Sequence, residues 1–217
     1  GSHNVPRVIA DLSNRKIIIP ANLFSVGYNY SVTSDKWNIS DQACDFIYAG
    51  NTKIDFEIPG TLGLIYNADA WKQLANTTRC YPIFSFDEYL TTGKKSGTLN
   101  FVSITTQDIQ DSKFKIQNWD PATVLVFETS NEHGMADQRR MFLELMNLNS
   151  TIPVIIKRTY KNISQEEFQL HASTDVGALL LDGFGDGVWL DANDCASPQM
   201  VNSTAFGILQ ATRTRIS

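Results

Sequence analysis

The sequence predicts an α/β fold of the (β/α)8-barrel type, and three observations lead to this prediction. Short apolar, β-branched runs alternate with segments of helical spacing along most of the chain. Most of these runs are continuously apolar, as expected of strands buried on both faces of a parallel sheet. About eight strand-then-helix units can be counted, which is the number typical of this barrel. Because 217 residues is short for it, we expect a TIM-barrel-like domain that is irregular or incomplete, with a doubly wound parallel sheet as the alternative.

The first fifth of the sequence is the least regular part. Strands are predicted at residues 8–11 and at residues 17–19, the second ending against Pro20. Residues 22–42 are rich in Ser, Thr, Asn and Asp. We expect a long loop or an irregular excursion there.

From residue 46 onward the strand pattern becomes sharper. Residues 46–49 form an apolar run closed by Gly50, and residues 62–66 form the next. Asn67 follows the second run and is predicted to cap a helix, with Trp71 placed to pack on Tyr66.

Two further helix starts carry a capping box. Ser85 is followed by Glu88 at the third helical position, and Ser164 is followed in the same way by Glu167. Tyr89 is placed to pack on the preceding Phe84, and Phe168 on Ile163. Both helices are therefore expected to begin directly after these serines.

The remaining elements complete the alternation. Helices are predicted over residues 132–147 and from Ser197, where a proline occupies the first turn. Strands are predicted at residues 99–104, 124–127, 154–156 and 178–181.

Composition excludes several classes of protein. Eighteen basic and 23 acidic residues give a formal charge of −5, and no basic cluster exceeds a pair, so a nucleic-acid partner is not expected. No apolar run is long enough to span a bilayer. Residues 1–3 resemble a tag remnant, so residues 4–217 are treated as one domain.

Cysteine usage points to a reducing compartment. Cys44, Cys80 and Cys195 are odd in number and far apart, without the Cys-x-x-Cys spacing of a metal site. We therefore expect a cytoplasmic protein without a metal cluster of its own.

In a (β/α)8 barrel, functional groups follow the strands, because the carboxyl ends of all strands meet at one face. Glu128 is a candidate base, Lys157 a candidate amine nucleophile, and Asp182 with Asp186 a candidate pair for a hard metal ion. Polar residues also end strands simply because loops begin there. The residues that follow the predicted strands are Asp11, Asn67, Ser85, Thr105, Glu128, Lys157, Arg158, Asp182 and Asp191.

Three glycines follow the predicted strand at residues 178–181. Gly183, Gly185 and Gly187 resemble a phosphate loop, but they lead into another apolar run rather than a helix. Since Asp182 and Asp186 would repel an anion, a tight connection between two strands is favoured.

The histidines and tryptophans do not indicate a site. His133 and His171 lie on predicted helices without a second histidine at ligand spacing. The tryptophans are scattered, which favours core positions over a stacking platform. They are Trp37, Trp71, Trp119 and Trp189.

Three stretches carry a family resemblance: residues 45–50 (DFIYAG), 174–188 (TDVGALLLDGFGDGV) and 209–216 (LQATRTRI). They resemble 4-hydroxy-3-methylbut-2-enyl diphosphate synthase, the reductive ring-opening enzyme of the non-mevalonate isoprenoid route. The resemblance is to the long form of plants, chlamydiae and Bacteroidetes-like bacteria. In that form, a central insert domain separates an N-terminal catalytic barrel from a C-terminal iron–sulfur domain.

The resemblance implies that this chain corresponds to the insert domain and is not catalytic alone. The family's 4Fe–4S ligands, three cysteines and a glutamate, would lie outside it, and Cys44, Cys80 and Cys195 do not match their motif. No catalytic, cofactor-binding or metal residue is carried over. The implied partners are the flanking catalytic barrel and iron–sulfur domain of the same polypeptide, and the implied role is a spacer that positions the second over the first.

Two alternatives stay open at this stage. The barrel could hold its own diphosphate or effector site, using Glu128, Lys157, Asp182 and Asp186. It could instead dock the electron donor, a ferredoxin or a flavodoxin. Such donors are usually acidic. The only adjacent basic residues from which a basic docking surface could be built are Arg139-Arg140 and Lys157-Arg158.

Overall fold

The computed structural model describes residues 5–115 and 119–215 and shows a closed barrel of eight parallel strands. Each strand pairs with the next barrel strand in sequence, and the last pairs with the first. The barrel prediction is therefore confirmed, and the doubly wound alternative is wrong. The barrel strands are β1 (Arg7–Asp11), β4 (Phe46–Gly50), β5 (Gly63–Asn67), β6 (Cys80–Ser85), β7 (Asn100–Ile104), β8 (Thr123–Phe127), β9 (Val154–Thr159) and β10 (Gly187–Asp191).

Among the described residues, six α-helices lie outside the barrel, and the three longest follow β8, β9 and β10. They are α1 (Ala68–Lys72), α2 (Phe86–Thr91), α3 (Thr106–Gln110), α4 (Gly134–Asn147), α5 (Gln165–Leu181) and α6 (Pro198–Ala211). The capping boxes predicted at Ser85 and Ser164 are both formed, and the Ser197 side chain caps α6. These three helices begin where the sequence predicts.

The first two crossovers lack a standard helix, which makes the barrel irregular as expected. Between β1 and β4 the chain forms a short 3-10 helix, Pro20–Val26, and then a hairpin of β2 (Tyr28–Ser31) and β3 (Lys36–Ile39). The strand predicted at residues 17–19 is wrong. The Ile19 N–H donates to Asn22 Oδ1 at 2.9 Å, so it starts the 3-10 helix instead of joining a sheet.

The strand predicted at residues 178–181 is also wrong, because these residues form the last turn of α5. The apolar run continues a buried helical stripe of Phe168, Ala172, Val176 and Leu179, spaced by three or four positions. Leu181 is 71% exposed, as the end of a helix can be but a central barrel strand cannot. The final barrel strand is β10, which contains Trp189.

The barrel interior and the layer beneath the helices form separate cores. The interior core is contributed by alternate residues of six strands: Ile9, Ile65, Phe101, Val126, Ile155 and Trp189. The residues between them face outward and pack under the helices. Burial on both faces accounts for the continuous apolar runs in the sequence.

We call the face at the carboxyl ends of the barrel strands the mouth and the opposite face the base. Arg215 lies at the base, where it donates to the Pro6 carbonyl at 3.1 Å and to Asp45 Oδ2 at 2.7 Å. The Arg7 side chain donates to the same carboxylate at 3.0 Å. The two ends of the described chain therefore lie side by side at the base.

In the part of the chain that the structure describes, no helix combines the length and apolar character needed to cross a membrane.

Candidate functional site at the mouth of the barrel

A cavity of about 440 Å³ opens at the mouth. It is surrounded by the last inward-facing residues of the strands and by the loops that follow them. Its polar and aromatic lining includes Tyr48, Asn51, Asn67, Ser85, Ser103, Glu128, Lys157 and Trp189.

Three neighbouring strands supply a chain of charged and polar groups. Ser103 on β7 donates to one oxygen of Glu128, which follows β8, and the Lys157 ammonium on β9 donates to the other. The side chains of Lys157 and Glu128 are 16% and 33% exposed. Lys157 Nζ also lies 4.3 Å from the centroid of the Trp189 ring. The ammonium is thus held by a carboxylate and an aromatic face.

Asp11 is buried beside this chain of groups. The Trp189 indole N–H donates to Asp11 Oδ2 at 3.1 Å, and the backbone N–H and hydroxyl of Ser13 donate to Oδ1 at 3.0 and 2.6 Å. These hydrogen bonds offset the cost of burying the carboxylate.

Tyr48 and Asn67 connect the opposite wall. The Tyr48 hydroxyl donates to Asn67 Oδ1 at 2.6 Å, and Asn67 Nδ2 donates to Asn51 Oδ1 at 2.9 Å. Burial, and after it the negative charge of Asp11, raise the pKa of Tyr48 to about 12. The phenol is therefore neutral at physiological pH.

These bonds also correct the role predicted for Asn67. Helix α1 begins directly after Asn67, but the side chain makes no capping hydrogen bond. Its amide is engaged by Tyr48 and Asn51 across the mouth instead.

Asp191 ends β10 next to the first strand. Burial and the nearby Asp11 raise the pKa of its carboxyl above the ordinary value. Its carboxylate accepts a long hydrogen bond from Asn193 Nδ2 at 3.5 Å.

The structure brings most of the predicted strand-end residues together. Asp11, Asn67, Glu128, Lys157 and Asp191 all face the mouth, and Ser85 stands at its rim. Thr105 is instead used to cap α3, where it accepts from the Asp108 N–H at 3.4 Å.

Arg158 is directed away from the mouth. It follows Lys157 in β9 and so points outward, where it pairs with Asp175 at 3.3 Å. The same carboxylate accepts from the Tyr160 hydroxyl at 2.8 Å. Arg158 is therefore part of the packing between β9 and α5.

Sequence reasoning missed Tyr48, Ser103 and Trp189, which all line the cavity. Each lies inside a strand rather than after it. The alternation of strand side chains could have identified Ser103, because it lies two positions before Thr105 and shares its face.

Asp182 and Asp186 lie at the base, so they are not part of the mouth. Asp182 follows α5 and pairs with Arg139 of α4 at 2.7 Å. Asp186 precedes β10, and its carboxylate accepts from the Val154 N–H at 2.9 Å. The sequence places Asp182 and Asp186 at the carboxyl end of a strand as a candidate pair for a hard metal ion. That placement is wrong, because residues 178–181 are helical.

The glycines between them form a turn from helix to strand, not from strand to strand as predicted. Gly183 and Gly185 have φ of +81° and +88°, which glycine adopts without strain. Gly187 is already in β10.

The two histidines and the two basic pairs singled out in the sequence lie on or next to α4, α5 and β9. His133 immediately precedes α4 and its side chain makes no cap, while His171 lies on α5. Arg139 pairs with Asp182 as described, and Arg140 lies 4.0 Å from Glu144. Lys157 and Arg158 are likewise paired with carboxylates, whereas the Arg140 side chain is 60% exposed and its contact with Glu144 is long.

The cysteines do not fit an iron–sulfur cluster. Cys44 and Cys80 lie at the base, just before β4 and at the start of β6, whereas Cys195 follows β10 at the mouth. Cys44 is fully buried, which raises the pKa of its thiol. Within residues 5–115 and 119–215, no group of three or more His, Cys, Asp or Glu side chains is arranged to hold a metal ion.

The mouth therefore combines one cation with several carboxylates. Lys157 is the single cation lining the cavity among the described residues, and Glu128 neutralises it. Asp11 and Asp191 add negative charge nearby. Such a site suits hydrogen bonding and proton transfer and disfavours anions.

Fold and site together define a (β/α)8-barrel protein with a polar mouth. The chain is 34% identical over 173 residues to "4-hydroxy-3-methylbut-2-en-1-yl diphosphate synthase (flavodoxin)" of Parabacteroides distasonis, a match that covers 80% of this chain and 28% of that protein. The Porphyromonas gingivalis protein of the same name is 38% identical over 54% of this chain and 20% of its own length.

A plant relative extends the comparison. "4-hydroxy-3-methylbut-2-en-1-yl diphosphate synthase (ferredoxin), chloroplastic" of Arabidopsis thaliana is 32% identical over 55% of this chain and 16% of its own length. No protein-family model and no solved structure matches the chain.

These matches confirm the resemblance to the long-form synthases. The chain spans little more than a quarter of the length of the relatives that match most of it.

Proposed function

We propose that this chain is a barrel domain of a 4-hydroxy-3-methylbut-2-enyl diphosphate synthase, an oxidoreductase of the non-mevalonate route to isoprenoids. In this proposal the domain is a structural spacer. It holds the iron–sulfur domain of the same polypeptide over the catalytic barrel and makes or breaks no bond in the substrate. One observation carries the proposal. The chain is 34% identical to a synthase in a match that covers 80% of this chain and 28% of the synthase.

The charge of the mouth supports a role outside the chemical step. A cyclic diphosphate is an anion and needs several cations or clustered backbone N–H groups. Among the described residues, Lys157 is the one cation that lines the cavity, and this ammonium is already paired with Glu128. The carboxylates of Asp11 and Asp191 would repel a diphosphate.

The cysteine arrangement supports binding of the cluster elsewhere in the polypeptide. An iron–sulfur centre needs several thiolates within bonding distance of one cluster. Cys195 is separated from Cys44 and Cys80 by the length of the barrel. The redox step is therefore assigned to another domain.

The geometry of the base supports insertion into a longer chain. Pro6 and Arg215 are hydrogen-bonded although they are 209 positions apart in sequence. A domain with adjacent ends can be added between two others without pulling them apart. The spacer would then project from its neighbours, with its base toward them and its mouth away.

Removal of the domain from the full-length Parabacteroides distasonis synthase tests the proposal. The segment that matches this barrel is replaced by a short Gly/Ser linker. Turnover of the cyclic diphosphate is measured with a chemical reductant, and cluster content is measured by iron analysis and visible absorbance. We expect the cluster to assemble and turnover to fall to background.

A second variant keeps the folded domain and inserts flexible Gly/Ser residues at both junctions. If the domain acts by holding its neighbours, this variant loses turnover as well, because the rigid attachment is gone. Normal turnover in the deletion variant would contradict the proposal. Normal turnover in the flexible variant alone would contradict the spacer role and leave membership of the synthase intact.

A further inference from the structure

The polarity of the mouth is not explained by stability. The interior core below it is apolar, and the same packing could continue to the top of the barrel. Instead, the top of the barrel holds the Ser103 hydroxyl and the ion pair of Lys157 and Glu128, whose side chains are 16% and 33% exposed. A half-buried ion pair pays a desolvation cost that apolar residues avoid. A cavity of about 440 Å³ is also left open.

The charged side chains that line this cavity already have ion-pair or hydrogen-bond partners within the protein. Glu128 and Lys157 form a neutral pair, Glu88 is used in the capping box of α2, and Asp69 pairs with Lys72 at 3.3 Å. A ligand is therefore not required to bring a charge. Asp11 and Asp191 nearby make an anion unfavourable.

The Lys157 ammonium already occupies the position that a cationic ligand would take against Trp189. The aromatic surface that would receive it is already covered, because Lys157 Nζ lies 4.3 Å from the Trp189 centroid. The Tyr48 ring lies against the same indole at 4.8 Å between centroids. A second cation would have to compete with a tethered one.

Hydrogen-bonding capacity remains on both walls. Ser103 and Tyr48 each donate within the protein, so their oxygens keep acceptor capacity. Asn67 Nδ2 uses one hydrogen on Asn51, and Lys157 uses one hydrogen on Glu128. Each keeps a further donor. Donors and acceptors are therefore both available on the walls of one cavity.

We propose that the mouth is a binding site for a neutral, hydroxyl-rich small molecule of monosaccharide size, such as a polyol or a simple sugar. A hydroxyl group both donates and accepts, so a molecule with several hydroxyls can use both the free donors and the free acceptors of the cavity. The cavity volume lies within the range of small-molecule sites. Carboxyl-end mouths are where (β/α)8 barrels bind their ligands.

Saturation-transfer NMR and calorimetry on the full 217-residue chain test the proposal. The probes are xylitol, glucose and myo-inositol, with inorganic diphosphate and propylamine as charged comparisons. We expect at least one neutral probe to bind, with diphosphate and propylamine giving no saturable signal.

Variants locate the site. Lys157→Met keeps the length of the side chain and removes the ammonium, and Ser103→Ala removes one hydroxyl. We expect Lys157→Met to weaken the bound probe at least about tenfold, since it removes a hydrogen bond to a charged group, and Ser103→Ala by about two- to tenfold, since it removes a neutral one. Arg139→Met, at the base, is the matched control and should leave the affinity unchanged.

Four results would overturn the proposal. They are no binding of any neutral probe to the folded chain, stronger binding of diphosphate, stronger binding of propylamine, and unchanged affinity in a folded mouth variant. If Lys157→Met fails to fold, Ser103→Ala carries the test, because it removes a single oxygen. This test is independent of the spacer role, which is measured on the full-length synthase.

Discussion

Asp11 illustrates how single residues stabilise the mouth. Its carboxylate is 7% exposed, yet both oxygens accept hydrogen bonds, one from Trp189 and one from the two donors of Ser13. Ser13 is a local partner that a turn after a strand readily provides. Trp189 is 178 positions away, so only the closed barrel brings it there.

Trp189→Phe tests this contact. The change keeps an aromatic ring in the interior but leaves Asp11 Oδ2 without its donor. We expect a loss of about 2–3 kcal/mol in the free energy of unfolding, because an unpaired buried charge keeps its desolvation cost. Urea denaturation measures the loss.

Trp119→Phe is the matched control. The Trp119 indole nitrogen is buried and has no hydrogen-bond partner among the described residues. Its replacement removes no such bond, so it should cost less than Trp189→Phe. Equal costs would show that ring volume, and not the bond to Asp11, sets the effect.

Asp191 gives a prediction about pH. Its native pKa is raised, so the folded state binds the proton more tightly than the unfolded state does. This group's contribution to stability therefore falls as the pH rises from about the ordinary value of 3.8 through the raised native pKa. Above that window the buried charge is a constant penalty.

Asp191→Asn should remove the penalty. We expect a higher Tm than wild type at pH 7 and no difference once the pH lies below both pKa values. Thermal melts across this range measure the effect. A variant that is less stable than wild type at pH 7 would show that the carboxylate has a favourable partner instead.

At the scale of the element, the helix starts are determined by a few adjacent residues. Ser85, Thr105 and Ser164 each accept from the N–H three positions on, and the carboxylate at that position accepts in return. This pattern is local, so sequence alone predicted two of the three. Asn67 looked similar but was recruited by Tyr48 from another strand.

Ser164→Ala tests the largest of these capped helices. The Glu167 N–H donates to Ser164 Oγ at 3.2 Å, and the variant leaves it without that acceptor. We expect a loss of about 1 kcal/mol in the free energy of unfolding, measured by urea denaturation.

The control is Ser173→Ala, in the interior of the same helix. Ser173 is exposed there, and alanine is the better helix former. This variant should be neutral or slightly more stable than wild type. A similar loss in both variants would contradict the capping role.

The wrong strand prediction at residues 178–181 has a physical cause. An apolar run of four residues fits a buried strand and a buried helical turn equally well. The apolar run at residues 178–181 predicts a strand on that basis, although Phe168, Ala172 and Val176 precede it with helical spacing. This error moved Asp182 and Asp186 to the wrong end of the barrel.

At the scale of the whole molecule, the base is tied together by one carboxylate. Asp45 accepts from Arg7, from Arg215 and from the Val8 N–H. It therefore joins the start of β1, the residue before β4 and the end of the described chain. The side chain of Arg215 is only 19% exposed.

Arg215→Ala should release the C-terminal segment from the base. We expect a loss of about 1–3 kcal/mol in global stability, because charge-assisted hydrogen bonds to Asp45 and Pro6 disappear. Faster amide exchange near the end of α6 should accompany it. Urea denaturation and hydrogen-exchange mass spectrometry measure the two effects.

Arg213→Ala removes the same charge two positions earlier, where the side chain is exposed. It should change neither quantity beyond about 0.5 kcal/mol. Equal exchange rates in the two variants would mean that Arg215 does not hold the segment.

The candidate site was predictable as far as the strand ends were predictable. Asp11, Glu128, Lys157 and Asp191 follow apolar runs and were expected to face the mouth. Their partners were not, since Ser103, Tyr48 and Trp189 lie within runs whose inward face depends on register. Which of two adjacent residues faces inward cannot be read from a continuously apolar strand, as Lys157 and Arg158 illustrate.

The pairing order of the strands has a consequence for synthesis of the chain. Strands β4 to β10 each pair with the preceding strand of the barrel, whereas β1 also waits for β10, whose Gly187 pairs with Arg7. On the ribosome, one edge of β1 stays without its neighbour until nearly the whole domain has emerged. The pairing of β1 with β10 is therefore the last to form. The hydrogen bond from the Trp189 indole to Asp11 joins these two strands once they meet.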